Sequence, residues 1–503
     1  MLINRRKALP ILIIAGVFSI FLFIDFSKNR SASRSRGSAT NFDSEASFQR
    51  LETAFRKHYP FTPNVSRDFG YEGTDLDKAF YEFPIPTAAI YVYKAYYDLR
   101  DPEGPRIRVL ITANCTLMNS NTTRLDLTMD GKSIGIGWKK MTNGIGCKSE
   151  SCKFWHYDIA SKVYEGRVPD TITFHRNEFA AEIPVERSPA KYTDDVSACI
   201  GALHWYNDWP RLILYVEMAR LNGISRILVT WQSISKEVKA VIDYYQQRGI
   251  IQPHPWPLLP FNEKRDPNAN VFIVSHNLFT QHCNFWSRSK YTFLSDVDEL
   301  LYMRYHNTTL FDLLETWYRK KSDIAGFKFK HTPMALKLAP EPFDYDKFLE
   351  LDALRNPVPY RYWRFPKSIW LTEATRIAWV HYAKEFFGKR KNHDIPAEEA
   401  LYFHLRDTFE NANTTALYPD VQLFKEDEID ERLVAMANTI REIFPDGTPN
   451  YRAKKLAAPR KECQKKPIVK GCRDSGVSCF PTLRKMDEWI FAVPTPESFY
   501  IPV

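Results

Sequence analysis

From residue 192 to residue 301, short apolar runs alternate with amphipathic stretches, and this alternation restricts the possible folds more than any other feature of the chain. Residues 196–203, 224–231 and 250–256 read as strands. Between them, 210–222 and 236–248 read as helices. Pro210 suits a first helical turn, Leu212, Tyr215, Val216 and Ala219 share one side, and Gly223 and Gly249 stop the two segments. Residues 276–288 read as a third helix, which delivers a fourth strand at Tyr291, Phe293 and Leu294. A β-α-β-α-β-α-β order with right-handed crossovers winds into a mostly parallel sheet. No G-x-G-x-x-G and no G-x-x-x-x-G-K-S occurs, so no glycine-rich loop is expected to cradle phosphates.

The fourth strand runs straight into Asp296-Val297-Asp298-Glu299. In extended geometry Asp296 and Asp298 share one face. The C-terminal end of a buried strand is where open α/β sheets bind ligands. Carboxylates there can hold a hard divalent cation, Mn²⁺ or Mg²⁺, which bridges to nucleotide phosphates. Most isolated D-x-D triplets are solvated acidic turns; the buried lead-in distinguishes this one.

The N-terminal part reads as a membrane address. Residues 1–7 form a basic tail and residues 8–24 are 17 uncharged residues, close to the minimum for a single span. Bulky Phe21, Leu22, Phe23 and Ile24 leave no small-x-small cleavage site, so an uncleaved signal anchor is expected. All eight cysteines follow the span, as do the sequons at Asn64, Asn114, Asn121, Asn307 and Asn413. Together these place the large domain in the oxidising lumen of the secretory pathway. Cys147 with Cys152, and the three cysteines near the C-terminus, look like local staples. A net charge of +9 over 503 residues suits an anionic nucleotide donor and makes no case for nucleic acid.

Residues 25–75, polar near the span, read as a stem. Residues 76–190 read as a β-rich domain, with strand-like runs at 90–97, 107–111, 125–129 and 171–174, and a small sandwich is expected. Its Trp138, Trp155 and Tyr157 fit core packing better than a carbohydrate platform. Residues 191–450 carry the α/β pattern, and 451–503 form a cysteine-containing extension.

The ordered set Trp209-Pro210, Glu217, Gly223-Ile224, Gln281, Cys283, Arg288-Ser289-Lys290-Tyr291, Asp296-Val297-Asp298-Glu299, Lys367-Ser368-Ile369, Val380-His381 and Phe403-His404-Leu405-Arg406 resembles glycosyltransferase family 92. The resemblance implies a GT-A (Rossmann-like) α/β fold and inverting, metal-assisted transfer from a UDP-sugar. UDP-galactose is the expected donor, and the expected acceptor is a fucosylated N-glycan, joined β1,4 to core fucose. With the anchor, it implies a single-pass type II protein of the Golgi membrane. This chain departs from the family pattern at His282, where an acidic residue is common, and at Leu405, where tyrosine is usual. In the GT-A arrangement Cys199 and Cys283 come close enough to pair, or remain two buried thiols.

Breaking a sugar–diphosphate bond requires stabilisation of the leaving charge. Asp298, with Asp296 directly or through water, is expected to hold the cation. His404, or else His381, is expected to be the third ligand. Arg406 and Lys290 or Arg288 are candidates for diphosphate contact, and Glu373 or Glu341 for the general base. The competing readings are a non-catalytic lumenal glycan-binding protein with a degenerate transferase domain, and a metal-dependent hydrolase; the intact D-V-D-E and both histidines weigh against the first. Glycosidase treatment is expected to lower the apparent mass of the full chain made in secretory cells. Protease added to sealed vesicles should leave the large domain intact, and digestion from outside would reverse the topology.

Overall fold

The alternation that starts near residue 192 forms element by element in the computed structural model. The structure describes residues 45–58, 90–142, 152–189, 191–261, 267–304, 307–334, 365–405, 429–447, 449, 451–465, 472 and 479–503. Strand β1 (Asp194–Leu203), helix α1 (Trp209–Leu221), β2 (Arg226–Trp231), α2 (Lys236–Gln247), β3 (Ile251–Pro255), α3 (His276–Trp286) and β4 (Ser289–Ser295) follow in order. Local chemistry fixes the helix ends. The Asp208 and Ser235 side chains accept from the Arg211 and Val238 amides at the starts of α1 and α2. Gly223 and Gly249 follow with φ of +82° and +69°, the left-handed stop that glycine adopts most easily.

Beyond β4 come β5 (Glu299–Met303), α4 (Leu310–Lys320), β6 (Ile324–Phe329), β7 (His331–Met334), β8 (Lys367–Leu371), β9 (Lys391–Asp394) and β10 (Ala400–Leu405). The main sheet has seven strands in the order β3-β2-β1-β4-β8-β6-β9, and β8 runs antiparallel to both of its neighbours. Strand order reverses between β1 and β4, which pair in parallel and so open a crevice at their C-terminal ends. β1 and β4 are buried on both faces, as parallel central strands should be; Tyr291, Phe293 and Leu294 are all core residues. A separate three-stranded sheet, β5-β10-β7, stands beside that crevice. The Cys199–Cys283 disulfide, one of the two possibilities raised above, ties β1 to α3.

The β-rich region differs from the expected sandwich. Its eight strands lie on one hydrogen-bonded path, and a ninth, Ile501–Pro502, pairs off it. The strand Phe179–Arg187 pairs antiparallel with Thr171–Arg176 and then parallel with Ile90–Asp98, so it joins what would otherwise be two sheets. Trp155 and Tyr157 are buried, and Trp155 stacks on Phe272 at 5.6 Å, which is the packing role. Trp138 is half-buried, with the Arg108 guanidinium 4.5 Å from its ring.

Two other expectations change. Within the segment read as a stem, Glu45–His58 is a helix. Its Leu51 and Phe55, four apart, are buried, and Phe55 meets Phe499 edge-on at 5.5 Å. A single apolar stripe in a polar segment had too little weight to be read as structure. The extension is also not a separate appendage. Trp489–Phe491 pairs with Ser233–Ser235, and Ile501–Pro502 pairs with Val92 and Tyr91. Cys152 is not stapled to nearby Cys147: it bonds Cys472, 320 residues away, while Cys463–Cys479 is local, at a separation of 16. Cys472 is buried in the same core as Cys152 and the tail's Ile501. Residues 8–24 lie outside the described residues, and among those described no helix is long and apolar enough to cross a membrane.

So long a closed loop puts the Cys152–Cys472 bond at the upper end of the usual disulfide contribution. Replacing both cysteines by alanine should lower the unfolding free energy by about 2–5 kcal/mol. A denaturant midpoint equal to that of the parent would show that the tail is held by its strand pairing alone.

Candidate active site

The turn after β4 brings three carboxylates to the β1/β4 crevice, and each meets a different partner. The Glu299 amide donates to Asp296 O at 3.0 Å and the Leu405 amide donates to Asp298 O at 2.7 Å, which clamps the turn to β10. Antiparallel register then sets Glu299 opposite His404, and β7 places Pro333 beside His404 on the other side. The small sheet thus contributes one polar side chain from each strand: Glu299 from β5, His404 from β10 and His331 from β7.

His404 Nε2 and Asp298 Oδ2 are 3.1 Å apart. His331 stacks on His404, with ring centroids 4.9 Å apart and 6° between planes. His331 Nε2 is 3.5 Å from Glu299 Oε1. The other Glu299 oxygen accepts from Lys367 Nζ at 2.7 Å and from the Asp296 amide at 3.0 Å. Lys367 also reaches Asp296 Oδ2 at 3.3 Å. Lys367 sits here because β8 is antiparallel, so its first residue lies at the D-x-D end of the sheet.

Charge follows from burial. Burial pushes the Glu299 carboxyl up to about 8; the Lys367 ammonium opposes this without reversing it, and Asp296 and Asp298 add to it. Burial would also raise Asp296, but the Lys367 ammonium, then His276, outweigh it and hold this carboxyl below its ordinary value. Burial would lower Lys367, and its two carboxylate partners reverse that. Burial pulls the His331 imidazole down to about 2, so it is neutral throughout the physiological range.

The opposite wall is built with strain. Ile273, Val274 and Ser275 have φ of +36°, +42° and +68° just before α3. Left-handed backbone at non-glycine residues costs roughly 1–3 kcal/mol each and collects at functional sites. Here it seats His276 over the end of β1, where a Cβ at Gly201 would stand 2.6 Å from His276 Cε1. Among the charges acting on this buried imidazole are Asp296 and Lys367.

Of the residues singled out in the sequence, the structure brings Asp296, Asp298 and His404 together. His381 is half-buried nearby, stacked on Phe365 at 4.9 Å and edge-on to Trp379 at 5.0 Å; burial, then Lys367, lowers it to about 4. Arg288 and Lys290 lie at the start of β4, the end away from the D-x-D, and Lys290 pairs with Glu315 at 2.5 Å. Neither is brought to the crevice. Glu373 is equally misplaced for the base: it is exposed on the turn after β8, next to the start of β4, because Leu371 pairs with Tyr291. Glu341 and Arg406 lie outside the described residues.

Sequence reading missed Glu299, Lys367, His331 and His276 as site residues. The first two stand inside quoted motifs, Asp-Val-Asp-Glu and Lys-Ser-Ile, and could have been promoted. His331 and His276 carry no local signal, since only strand pairing and an unusual turn bring them in.

The residues fit a divalent cation. Ligand atoms of Glu299, His331 and His404 lie within 4.8 Å of one another and all three residues are buried. Neither His331 nitrogen has a hydrogen-bond partner among the described residues.

A sequence model of glycosyltransferase family 92 matches residues 194–442, from the start of β1 into the helix Ile429–Ile443. No curated protein matches the chain. Among solved structures, the crystal structure of amylomaltase from Corynebacterium glutamicum is similar over 31% of this chain and 22% of that one, at 12% identity and a TM-score of 0.13. So low a score carries no structural argument.

Replacing Lys367 by methionine removes the cation that Glu299 and Asp296 share. The variant should lose about 1–3 kcal/mol of stability, the range for a buried polar group left without its partner. Lys367→Met with Glu299→Gln should lose less than the two single changes summed, as read in a double-mutant cycle by urea unfolding. Strict additivity would show that the two side chains do not interact.

Proposed function

Because the chain belongs to glycosyltransferase family 92 and is therefore a glycosyltransferase, we propose that it transfers galactose from UDP-galactose, with inversion and with a divalent cation, to a glycoconjugate acceptor. The proposed acceptor is the core fucose of N-glycans, joined β1,4. The proposed fold is GT-A, and the proposed setting is the Golgi membrane, with residues 8–24 as the anchor and the catalytic domain in the lumen.

One observation carries this reading: Asp298 and His404 meet at 3.1 Å at the C-terminal ends of β1 and β4, where strand order reverses. That is the crevice in which open α/β sheets bind nucleotides. Asp298 and His404 would hold Mn²⁺ or Mg²⁺. Bound there, the ion would supply Lewis-acid stabilisation of the departing diphosphate. Asp296, tied to Lys367, would act through water. Lys367 and His276 keep the first carboxylate ionised and oriented at the crevice. The base is proposed to be Glu341.

Asp298→Asn changes charge without volume on a turn whose backbone bonds stay in place. Transfer should fall by roughly 100-fold or more, since each ~1.4 kcal/mol of lost leaving-group stabilisation is about tenfold in rate. The assay is incubation with a panel of UDP-sugars and fucosylated N-glycans, read by mass, with and without chelator. Near-normal turnover in Asp298→Asn with unchanged metal dependence would remove the D-x-D from the mechanism. UDP-sugar binding without transfer to any acceptor would favour a glycan-binding protein.

A further inference from the structure

We propose that His331 is a direct ligand of the metal ion beside His404, and that the paired imidazoles make the site select a transition ion such as Mn²⁺ over Mg²⁺. This rests on the metal-dependent reading above and adds a ligand which that reading lacks.

The observations are geometric. His331 is 3% exposed, and a buried imidazole ordinarily satisfies at least one nitrogen. Here Nδ1 and Nε2 both lack a hydrogen-bond partner among the described residues, although Nε2 stands only 3.5 Å from Glu299 Oε1. An orphaned buried polar atom is costly unless something completes it. The Glu299 carboxylate is divided in the same sense. Its Oε2 is taken by Lys367 at 2.7 Å and by the Asp296 amide at 3.0 Å, leaving Oε1 on the histidine side. The stacked His331 and His404 rings, 4.9 Å apart, bring their nitrogens to this carboxylate, and Asp298 closes the set from His404. The donors gathered there are two imidazoles and the carboxylates of Asp298 and Glu299. Mg²⁺ favours oxygen ligands and retains its waters, whereas imidazole suits first-row transition ions. Lys367 occupies Oδ2 of Asp296 and Oε2 of Glu299, two oxygens that a harder ion would favour.

The test uses the full chain in detergent. Pulsed electron paramagnetic resonance of bound Mn²⁺ should show nitrogen coupling from both imidazoles in the parent protein, and from one in His331→Ala and in His404→Ala. His331→Ala should bind Mn²⁺ roughly tenfold or more weakly, with Mg²⁺ binding little changed. His331→Gln, which keeps the bulk in the core, should behave as His331→Ala does. Coupling from a single imidazole in the parent, or Mn²⁺ affinity in His331→Gln equal to the parent's, would overturn the proposal and make His331 a packing residue. In that case loss of Mn²⁺ binding in Asp298→Asn would leave the metal-dependent reading standing. A parent protein that binds no Mn²⁺ would end both.

Discussion

The contact of Lys367 with Glu299 and Asp296 is the constraint around which the crevice is built. Three carboxylates within four residues, at the end of a strand buried on both faces, would repel one another and resist desolvation. A single ammonium, 2% exposed and donating to two of them, makes the cluster tolerable. It also sorts the acids. Asp296 is held below its ordinary value by the ammonium, Glu299 is pushed up by burial, and Asp298 faces His404. Because Lys367 opens an antiparallel strand, the direction of β8 is as much a part of the site as any side chain.

The crevice is held in place by what lies behind it. Helix α3 is bolted to β1 by Cys199–Cys283 and to the β-rich sheet by a buried ionic network. Arg108 donates to Asp158 at 2.8 Å and to Asp98 at 2.9 Å, and Gln281 of α3 donates to the same Asp158 at 2.8 Å. The Ala378 amide closes the network on Gln281 at 3.1 Å. Gln281, part of the family-like motif, therefore has a structural use here. His282, at the position where an acid is common, donates or accepts with Tyr96 at 2.6 Å and stacks on His254 at 4.7 Å. An acid there would face buried aromatic rings. The C-terminal tail pairs with the β-rich sheet, forms a two-stranded sheet with Ser233–Ser235, and is disulfide-bonded at Cys152, so the regions that look modular in sequence are interlocked in space.

Much of the catalytic sheet was legible in the sequence, because its evidence is local. Strand and helix periodicity, Pro210, Gly223 and Gly249 fixed β1 through β4 to within a few residues. The Asp296–Asp298 pair was legible because an apolar run ending in acids is uncommon, and His404 because it ends an apolar run within a motif. The helix Glu45–His58 was not, since two apolar residues in a polar segment acquire meaning only when Phe499 is there to cover them.

By itself the sequence determined the order of elements, the family and the strand end where the acids gather, since each depends on residues close together in the chain. Only the tertiary structure decided which cations and imidazoles meet those acids. Strand direction carried Lys367 in and Glu373 out, though they are six residues apart. The register of a three-stranded sheet set Glu299 opposite His404, and its third strand brought His331 to stack on that ring. A chain that folded back over 320 residues paired Cys152 with Cys472 instead of its neighbour. Pairings across such separations depend on how the sheet closes, and one-dimensional spacing contains no measure of that.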